Sequence, residues 1–390
     1  MNLHEYQSKE LFRQYGLPVA DFKVSSKATG IGKAAYELSP GPFIVKCQVH
    51  SGARGKAGGV LKVDTPAQAE AFAAKWLGKR LVTCQSGPHG KPVNRILIEQ
   101  ASECVRELYL SATIDRTNAH LTIIASEHGG MSIEELAMTE PQKILKVAID
   151  ELVGPQPYQG RELAYKLGLQ GRQVNQFAKI FMGITKLFME KDLSLVESNP
   201  LAVTKDGNLL CLDAKINVDP YALFRHPELT ELDDPSQEDP RIARAVASGF
   251  SYVPLEGNIG CLVNGAGLAM GTMDIIKTLG GNPANFLDVG GTATKERVME
   301  AFKIILEDPH VNCIMVNIFG GIVRCDMIAE GIRGAVEEIK RDIPVVVRLE
   351  GNHAAVGEKI LNECGLNIVS ARDLRQAASL AVKAAKVKDL

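Results

Sequence analysis

Short apolar runs alternate with amphipathic stretches of ten or more residues through the last third of the chain. Ile259-Gly260-Cys261-Leu262-Val263, Asn285–Val289, Cys313–Ile318, Pro344–Leu349 and Leu366–Ser370 are each followed by a helical pattern. Continuous apolar runs alternating with helices predict a parallel sheet covered on both faces. Five such units predict an open doubly wound domain, whose ligand crevice lies beyond the carboxyl ends of the strands. Those ends carry Asn264, Gly290-Gly291 and Gly320-Gly321. The pattern opens a helix at Gly320-Gly321-Ile322-Val323 with no side chain crowding its first N–H groups. Such a tip suits a phosphate or carboxylate. The same glycines also suit ordinary strand-to-helix turns.

Upstream the pattern is less regular. Residues 160–190 read as one long helix. Two strands follow, Leu193–Val203 and Asn208–Ile216, joined around Lys205-Asp206-Gly207-Asn208. A D-G turn between apolar runs predicts a hairpin. Reflecting Asn199 across a turn centred on Asp206 lands on Asp213. That facing relation requires a three-residue loop or a bulge, because a two-residue loop misses by one. An amide oxygen and a carboxylate brought together suit Mg²⁺, which takes few protein oxygens and leaves the rest of its shell to water and phosphates. A solvated strand face accounts for the same residues. The acidic, proline-bearing stretch from His226 to Pro240 reads as a linker. It divides the chain into domains at 1–237 and 238–390.

Near the start, Phe43-Ile44-Val45-Lys46 reads as a short buried strand with a charge at its exit. Ser51-Gly52-Ala53-Arg54-Gly55-Lys56-Ala57-Gly58-Gly59 comes soon after. Glycines let a backbone approach an anion closely, and Lys and Arg neutralise it. The stretch lacks the glycine and the Ser or Thr of a P-loop. It suits a nucleotide flap or, equally, a mobile surface hairpin. Ile96-Leu97-Ile98 ends at Glu99, and Glu107 opens Leu108-Tyr109-Leu110. Either acid could meet a base or ribose, or simply face water.

Composition narrows the classes. A formal charge of −2 gives no electrostatic case for nucleic acid or an anionic membrane. No apolar run approaches a spanning helix, and the N-terminus reads as neither a signal nor a transit peptide. The eight cysteines lie scattered without a C-x-x-C pair, as buried thiols in a reducing compartment do. The expectation is a cytoplasmic protein.

Together these residues resemble the β subunits of succinate–CoA ligase (succinyl-CoA synthetase). The resemblance spans essentially the whole chain. It includes Leu3-His4-Glu5-Tyr6-Gln7, Val45–His50, Gly52–Gly59, Gly78–Thr83, Pro157–Glu162, Asn199-Pro200-Leu201, Val263–Met270 and Asn317–Asp326. It implies an ATP-grasp nucleotide-binding fold for 1–237, with a flap subdomain at about 21–102. It implies a flavodoxin-like CoA-ligase domain for 238–390, so the fold class is α+β followed by α/β. Carried over by position, Lys46, Ala53, Arg54 and Gly55 would hold phosphates of ATP or GTP. Glu99 and Ser102 would meet the base region and Glu107 the ribose. Asn199 and Asp213 would bind Mg²⁺. Asn264 and the Gly321-Ile322-Val323 backbone would face the carboxylate substrate and a transferred phosphate. Glu197 and Arg54 would be the catalytic pair, with Glu197 near the loop of a phosphorylated histidine.

The implied chemistry joins succinate to CoA at the expense of a nucleoside triphosphate, through a phosphohistidine and succinyl phosphate. None of the eight histidines stands where the family keeps a phosphoacceptor. The resemblance therefore implies an α-subunit partner carrying that histidine and most of the CoA site. His353, after a strand end, is a weak stand-in. Ser198 stands where Ile is usual, Thr292 replaces a glycine and Ala53 replaces a flap glycine. The alternatives are a β subunit for malate or another dicarboxylate, and a non-catalytic nucleotide- or CoA-sensing module.

Overall fold

The computed structural model describes residues 1–38, 40–87, 90–131, 133–291, 294–321, 323–339 and 343–386. The chain divides into two compact units, Met1–Gln237 and Glu238–Leu390.

The first unit opens with helix α1 (Glu5–Gln14) and holds two main antiparallel sheets beside a two-stranded ribbon of Arg80–Leu81 with Lys91–Pro92. The smaller contains β1 (Phe22–Ser25), β2 (Phe43–Cys47), β3 (Val60–Val63) and β4 (Ile96–Gln100), in the order β1-β4-β2-β3. Helices α2 (Ala28–Glu37) and α3 (Pro66–Trp76) cover one face. Strand alternation sends Phe43, Val45, Cys47, Ile96 and Ile98 into the core under those helices. Lys46 and Glu99 therefore point to the opposite face.

The larger sheet contains β5 (Cys104–Asp115), β6 (His120–Ser126), β7 (Leu145–Ile149), β8 (Leu193–Thr204), β9 (Leu209–Cys211) and β10 (Lys215–Val218). Its order is β9-β8-β5-β6-β7, and β10 also pairs with β8. Helices α4 (Pro157–Lys166) and α5 (Arg172–Glu190) pack into its core through Leu163, Phe177, Phe181 and Ile184. The single helix expected over 160–190 is thus two. Gly168 and Gly171 lie between them with φ of +70° and +55°, which glycine adopts at little cost.

In the second unit a six-stranded sheet runs β11-β13-β12-β14-β15-β16. These are β11 (Ser251–Pro254), β12 (Ile259–Val263), β13 (Asn285–Asp288), β14 (Cys313–Gly320), β15 (Val345–Gly351) and β16 (Ile368–Ser370). The five expected βα units are all present. Their strand order is that of a flavodoxin-like doubly wound sheet. Helices α6 (Ala266–Thr278), α7 (Lys295–Leu306), α8 (Cys325–Ile339), α9 (Ala354–Glu363) and α10 (Leu374–Lys386) complete them. Alternation splits each strand between two cores. Ile314, Val316 and Val347 face one, while Cys313, Met315 and Val346 face the other. The sequence reading missed β11, an antiparallel edge strand on β13. It is short and half polar, so nothing in its pattern announced it. Among the described residues, no helix is long and apolar enough to cross a membrane.

Candidate functional site

The β8 hairpin arranges the first site. Leu201 faces Cys211 and Glu197 faces Lys215, one register on either side of a gap. That register places Asn199 opposite Asp213. The Thr204 N–H donates to the Asn208 carbonyl (2.8 Å), closing the three-residue loop that the facing relation requires. The second arm, expected as one strand, is broken at Leu212-Asp213-Ala214. Opposite stands Pro200, which has no N–H to give a ladder.

The gap frees groups for other partners. The Leu212 carbonyl accepts a hydrogen bond from Lys46 Nζ (2.7 Å). Ser198 faces inward, away from Glu197 and Asn199, and its hydroxyl donates to the Asp213 carbonyl (3.1 Å). Asn199 Oδ1 accepts from the Gly130 N–H (2.7 Å), and its amide donates to the Met131 carbonyl (3.0 Å). The exposed Glu107 carboxylate lies beside Gly130 as well, where an added Cβ would meet it at 2.4 Å.

Between the two sheets lies a buried network of three cations and three carboxylates. Lys46 Nζ is 2.8 Å from both Glu5 Oε1 and Glu99 Oε1. Lys9, completely buried, binds Glu5 at 3.1 Å and also binds Glu99. Arg54 Nη2 lies 2.7 Å from Glu5 Oε2 and 3.0 Å from each oxygen of Asp213. Arg54 Nη1 donates to the Cys47 carbonyl (3.0 Å). Burial alone would push the Lys46 ammonium down, but Glu5 and Glu99 outweigh it and hold it above the usual lysine range. Arg54 is likewise raised, its burial outweighed by Asp213 and Glu5. Burial opposes the charge on Glu5, yet Lys46, Arg54 and Lys9 hold it well below the carboxylate range.

Several expected roles meet a different arrangement. The Glu99 carboxylate, expected at the base, is committed to two lysines. All three protons of Lys46, expected at phosphate, already have acceptors in Glu5, Glu99 and the Leu212 carbonyl. Arg54, expected at phosphate, clasps Asp213, expected at Mg²⁺. Ser102 lines an open cavity of about 520 Å³ with Thr204, Lys205 and Asn208. Gly55 is exposed with open space around its Cα, and Ala53 holds φ +59°, a conformation that suits glycine better. Burial pushes the Glu197 carboxyl up, against the pull of Lys215, and the Tyr109 hydroxyl donates to it (3.2 Å).

Asn199 and Asp213 carry donors of the kind that seat Mg²⁺. An amide oxygen and a half-exposed carboxylate are hard oxygen ligands, few in number, as Mg²⁺ prefers. Both accept only from N–H groups here, which a cation can displace. They fit.

In the second unit Asn264 and Phe319 lie at the topological switch point, the ends of β12 and β14. Asn264 Nδ2 donates to the Phe319 carbonyl (2.9 Å), and the Phe319 N–H donates to Asn264 Oδ1 (2.8 Å). The amide therefore braces the turn before it can face a substrate. Asp288 Oδ1 accepts from the N–H groups of Gly265 (2.6 Å) and Gly290 (2.8 Å). Gly321 is exposed, with nothing within 4 Å of an added Cβ. The expected helix opening at Gly320 is corrected: β14 runs through Gly320 and α8 begins at Cys325. The α8 tip is not bare either, because Asp326 Oδ1 accepts from the Met327 N–H (3.0 Å). Val323 is buried, and Ile322, Thr292 and His89 lie outside the described residues. His353 precedes α9 at φ +58°, half-exposed.

Sequence reasoning missed Glu5 and Lys9. Their four-residue spacing on one helix was visible, but such pairs usually face water.

Family models match residues 2–203 as an ATP-grasp domain and residues 262–382 as a CoA-ligase. Fold and matches define a protein that joins an ATP-grasp domain to a CoA-ligase domain. The β subunit of ADP-forming succinate–CoA ligase from Proteus mirabilis is 58% identical over 388 residues, covering 100% of each chain. The same figures hold for the subunits from Edwardsiella ictaluri and Klebsiella pneumoniae. The chain belongs to the succinate–CoA ligase β-subunit family. The fold also resembles an ATP citrate lyase of Methanothrix soehngenii, solved with citrate and coenzyme A. That match has a TM-score of 0.71 and 19% identity, covering 98% of this chain and 99% of the other.

Proposed function

We propose that this chain is the nucleotide-handling β subunit of an ADP-forming succinate–CoA ligase, active with an α subunit. Full-length identity to such subunits carries the reading. The gathering of Lys46, Arg54 and Asp213 beside the β8 hairpin supports it. Phosphoryl transfer asks the protein for alignment and charge neutralisation. Lys46 and Arg54 would neutralise the phosphates, each giving up one present acceptor. Ala53 and Gly55 would add backbone donors. Ser102 and Glu107 would border the base and ribose. Glu99, held by lysines, would act mainly through Lys46. Asn199 and Asp213 would hold Mg²⁺, which when bound would supply charge neutralisation at the phosphates. Glu197, its carboxyl pushed up by burial, would face the partner's histidine.

In the second unit the Gly321 backbone would meet succinate or phosphate, at a turn braced by Asn264. The names of the relatives favour ATP over GTP and succinate over malate. The eight free thiols support a reducing, cytoplasmic setting. The test mixes this chain with a candidate α subunit, succinate, CoA, Mg²⁺ and either nucleotide. Co-purification and thioester formation are expected with ATP. Succinyl-CoA made by this chain alone would contradict the reading.

A further inference from the structure

We infer that Glu5 is the positioning residue that keeps Lys46 and Arg54 in place when Asp213 changes partners. The inference rests on the nucleotide reading above. Glu5 alone among the carboxylates touches all three buried cations. Its Oε1 lies 2.8 Å from Lys46 Nζ and 3.1 Å from Lys9 Nζ, and its Oε2 lies 2.7 Å from Arg54 Nη2. The two carboxylates that hold Arg54 differ in access. The Glu5 side chain is 2% exposed and that of Asp213 37% exposed. An arriving cation can therefore reach Asp213 and not Glu5.

When Asp213 turns to such a cation, Arg54 loses two contacts at 3.0 Å and keeps two others, Glu5 Oε2 and the Cys47 carbonyl. The guanidinium is left with a free edge but the same anchor. Lys46 is held in the same way, because Glu5 and Glu99 grip it while the Leu212 carbonyl is the acceptor that a phosphate could replace. Lys9 supplies the third positive charge that balances Glu5, Glu99 and Asp213. Glu5 sits in the first turn of α1, where the helix dipole also favours a carboxylate. The first helix of the chain thus serves the phosphate machinery by holding its cations.

The test is a double-mutant cycle on the assembled αβ complex, read by calorimetric titration with Mg-ADP. Glu5→Gln is expected to weaken binding about tenfold, the scale of losing one charged hydrogen bond. In an Arg54→Gln background the same change is expected to cost less, about threefold, because only its hold on Lys46 remains. Equal losses in both backgrounds would mark a merely structural role and overturn the inference. An unchanged affinity of Glu5→Gln would overturn it as well. Failure of the unaltered complex to bind Mg-ADP would instead sink the nucleotide reading. If Glu5→Gln does not fold, Glu5→Asp keeps the charge but draws it back by one methylene. The same cycle with Glu5→Asp decides the matter, with melting temperatures confirming the fold.

Discussion

Arg54 holds both carboxylate oxygens of Asp213 at 3.0 Å through one guanidinium nitrogen. A carboxylate of a kind that suits a metal and a guanidinium of a kind that suits phosphate thus neutralise each other. If nucleotide and Mg²⁺ bind here as proposed, the pair has to part.

Asp213→Ala is expected to lower thioester formation by the αβ complex by about a hundredfold or more, since charge stabilisation at the phosphates would go with it. The change should leave the fold intact, because Asp213 is partly exposed and sits in an unpaired stretch of strand. Steady-state assay and a melting curve on the same preparation check both statements. Activity within a few-fold of the unaltered complex would remove Asp213 from the site.

Lys46→Met should be costly to the fold itself. It leaves Glu5 and Glu99 buried with one cation fewer, and breaking a buried charge pair from one side costs about 3–5 kcal/mol. Urea denaturation of the isolated chain measures it. A loss below about 1 kcal/mol would mean that water or protonation compensates inside the network. Loss of nucleotide binding in a Lys46 variant is therefore meaningful only beside a stability measurement.

Acid should destabilise the first unit partly through two imidazoles. His4 and His50 lie with ring centroids 4.3 Å apart, tilted by 51°, and His4 Nε2 lies 2.8 Å from Asp234 Oδ2. Burial lowers His4 and pushes His50 down to about 3, the neighbouring His4 adding to the effect on His50. Between pH ~6.5 and ~3 the unfolded chain binds a proton at residue 50 that the folded chain refuses. Stability therefore falls as pH drops through that window. His50→Asn should flatten the fall between pH ~6.5 and ~4, read by denaturant titrations at stepped pH. An unchanged slope would count against a buried neutral His50.

Two adjacent glycines separate fold from chemistry in the second unit. Gly321→Ala meets nothing within 4 Å and should leave stability within about 0.5 kcal/mol, while slowing succinyl-CoA formation if a ligand lies on that backbone. Gly320→Ala would bring a Cβ to 2.6 Å from the Val323 carbonyl and should lower the melting temperature. Full activity in Gly321→Ala would take the substrate away from this turn.

The sequence carried the βα units because their apolar runs are buried on both faces, and the hairpin because a D-G turn marks its bend; the register waited on the loop length, which the Thr204-to-Asn208 bond settles. Periodicity also gave the end of β12, hence the place of Asn264, but it stopped β14 at Ile318, two residues short. It could not give Glu5 and Lys9. A polar stripe looks the same whether it meets water or another sheet, and only the folded chain brings Lys46 and Arg54 to it. The start of α8 escaped for a related reason. Gly320 reads as a stop, yet its carbonyl still accepts from the Asn352 N–H (2.7 Å), which carries the strand past it.

Pro200 leaves a hole in the middle of an otherwise continuous sheet, and Asn199 and Asp213 stand on its two rims. The Leu212 N–H still donates to the Pro200 carbonyl (3.2 Å) across it, so the arms stay joined when the Asn199 and Asp213 side chains are swung or exchanged. The scaffold thus separates its own cohesion from the chemistry of those two side chains, which evolution could alter without rebuilding the domain.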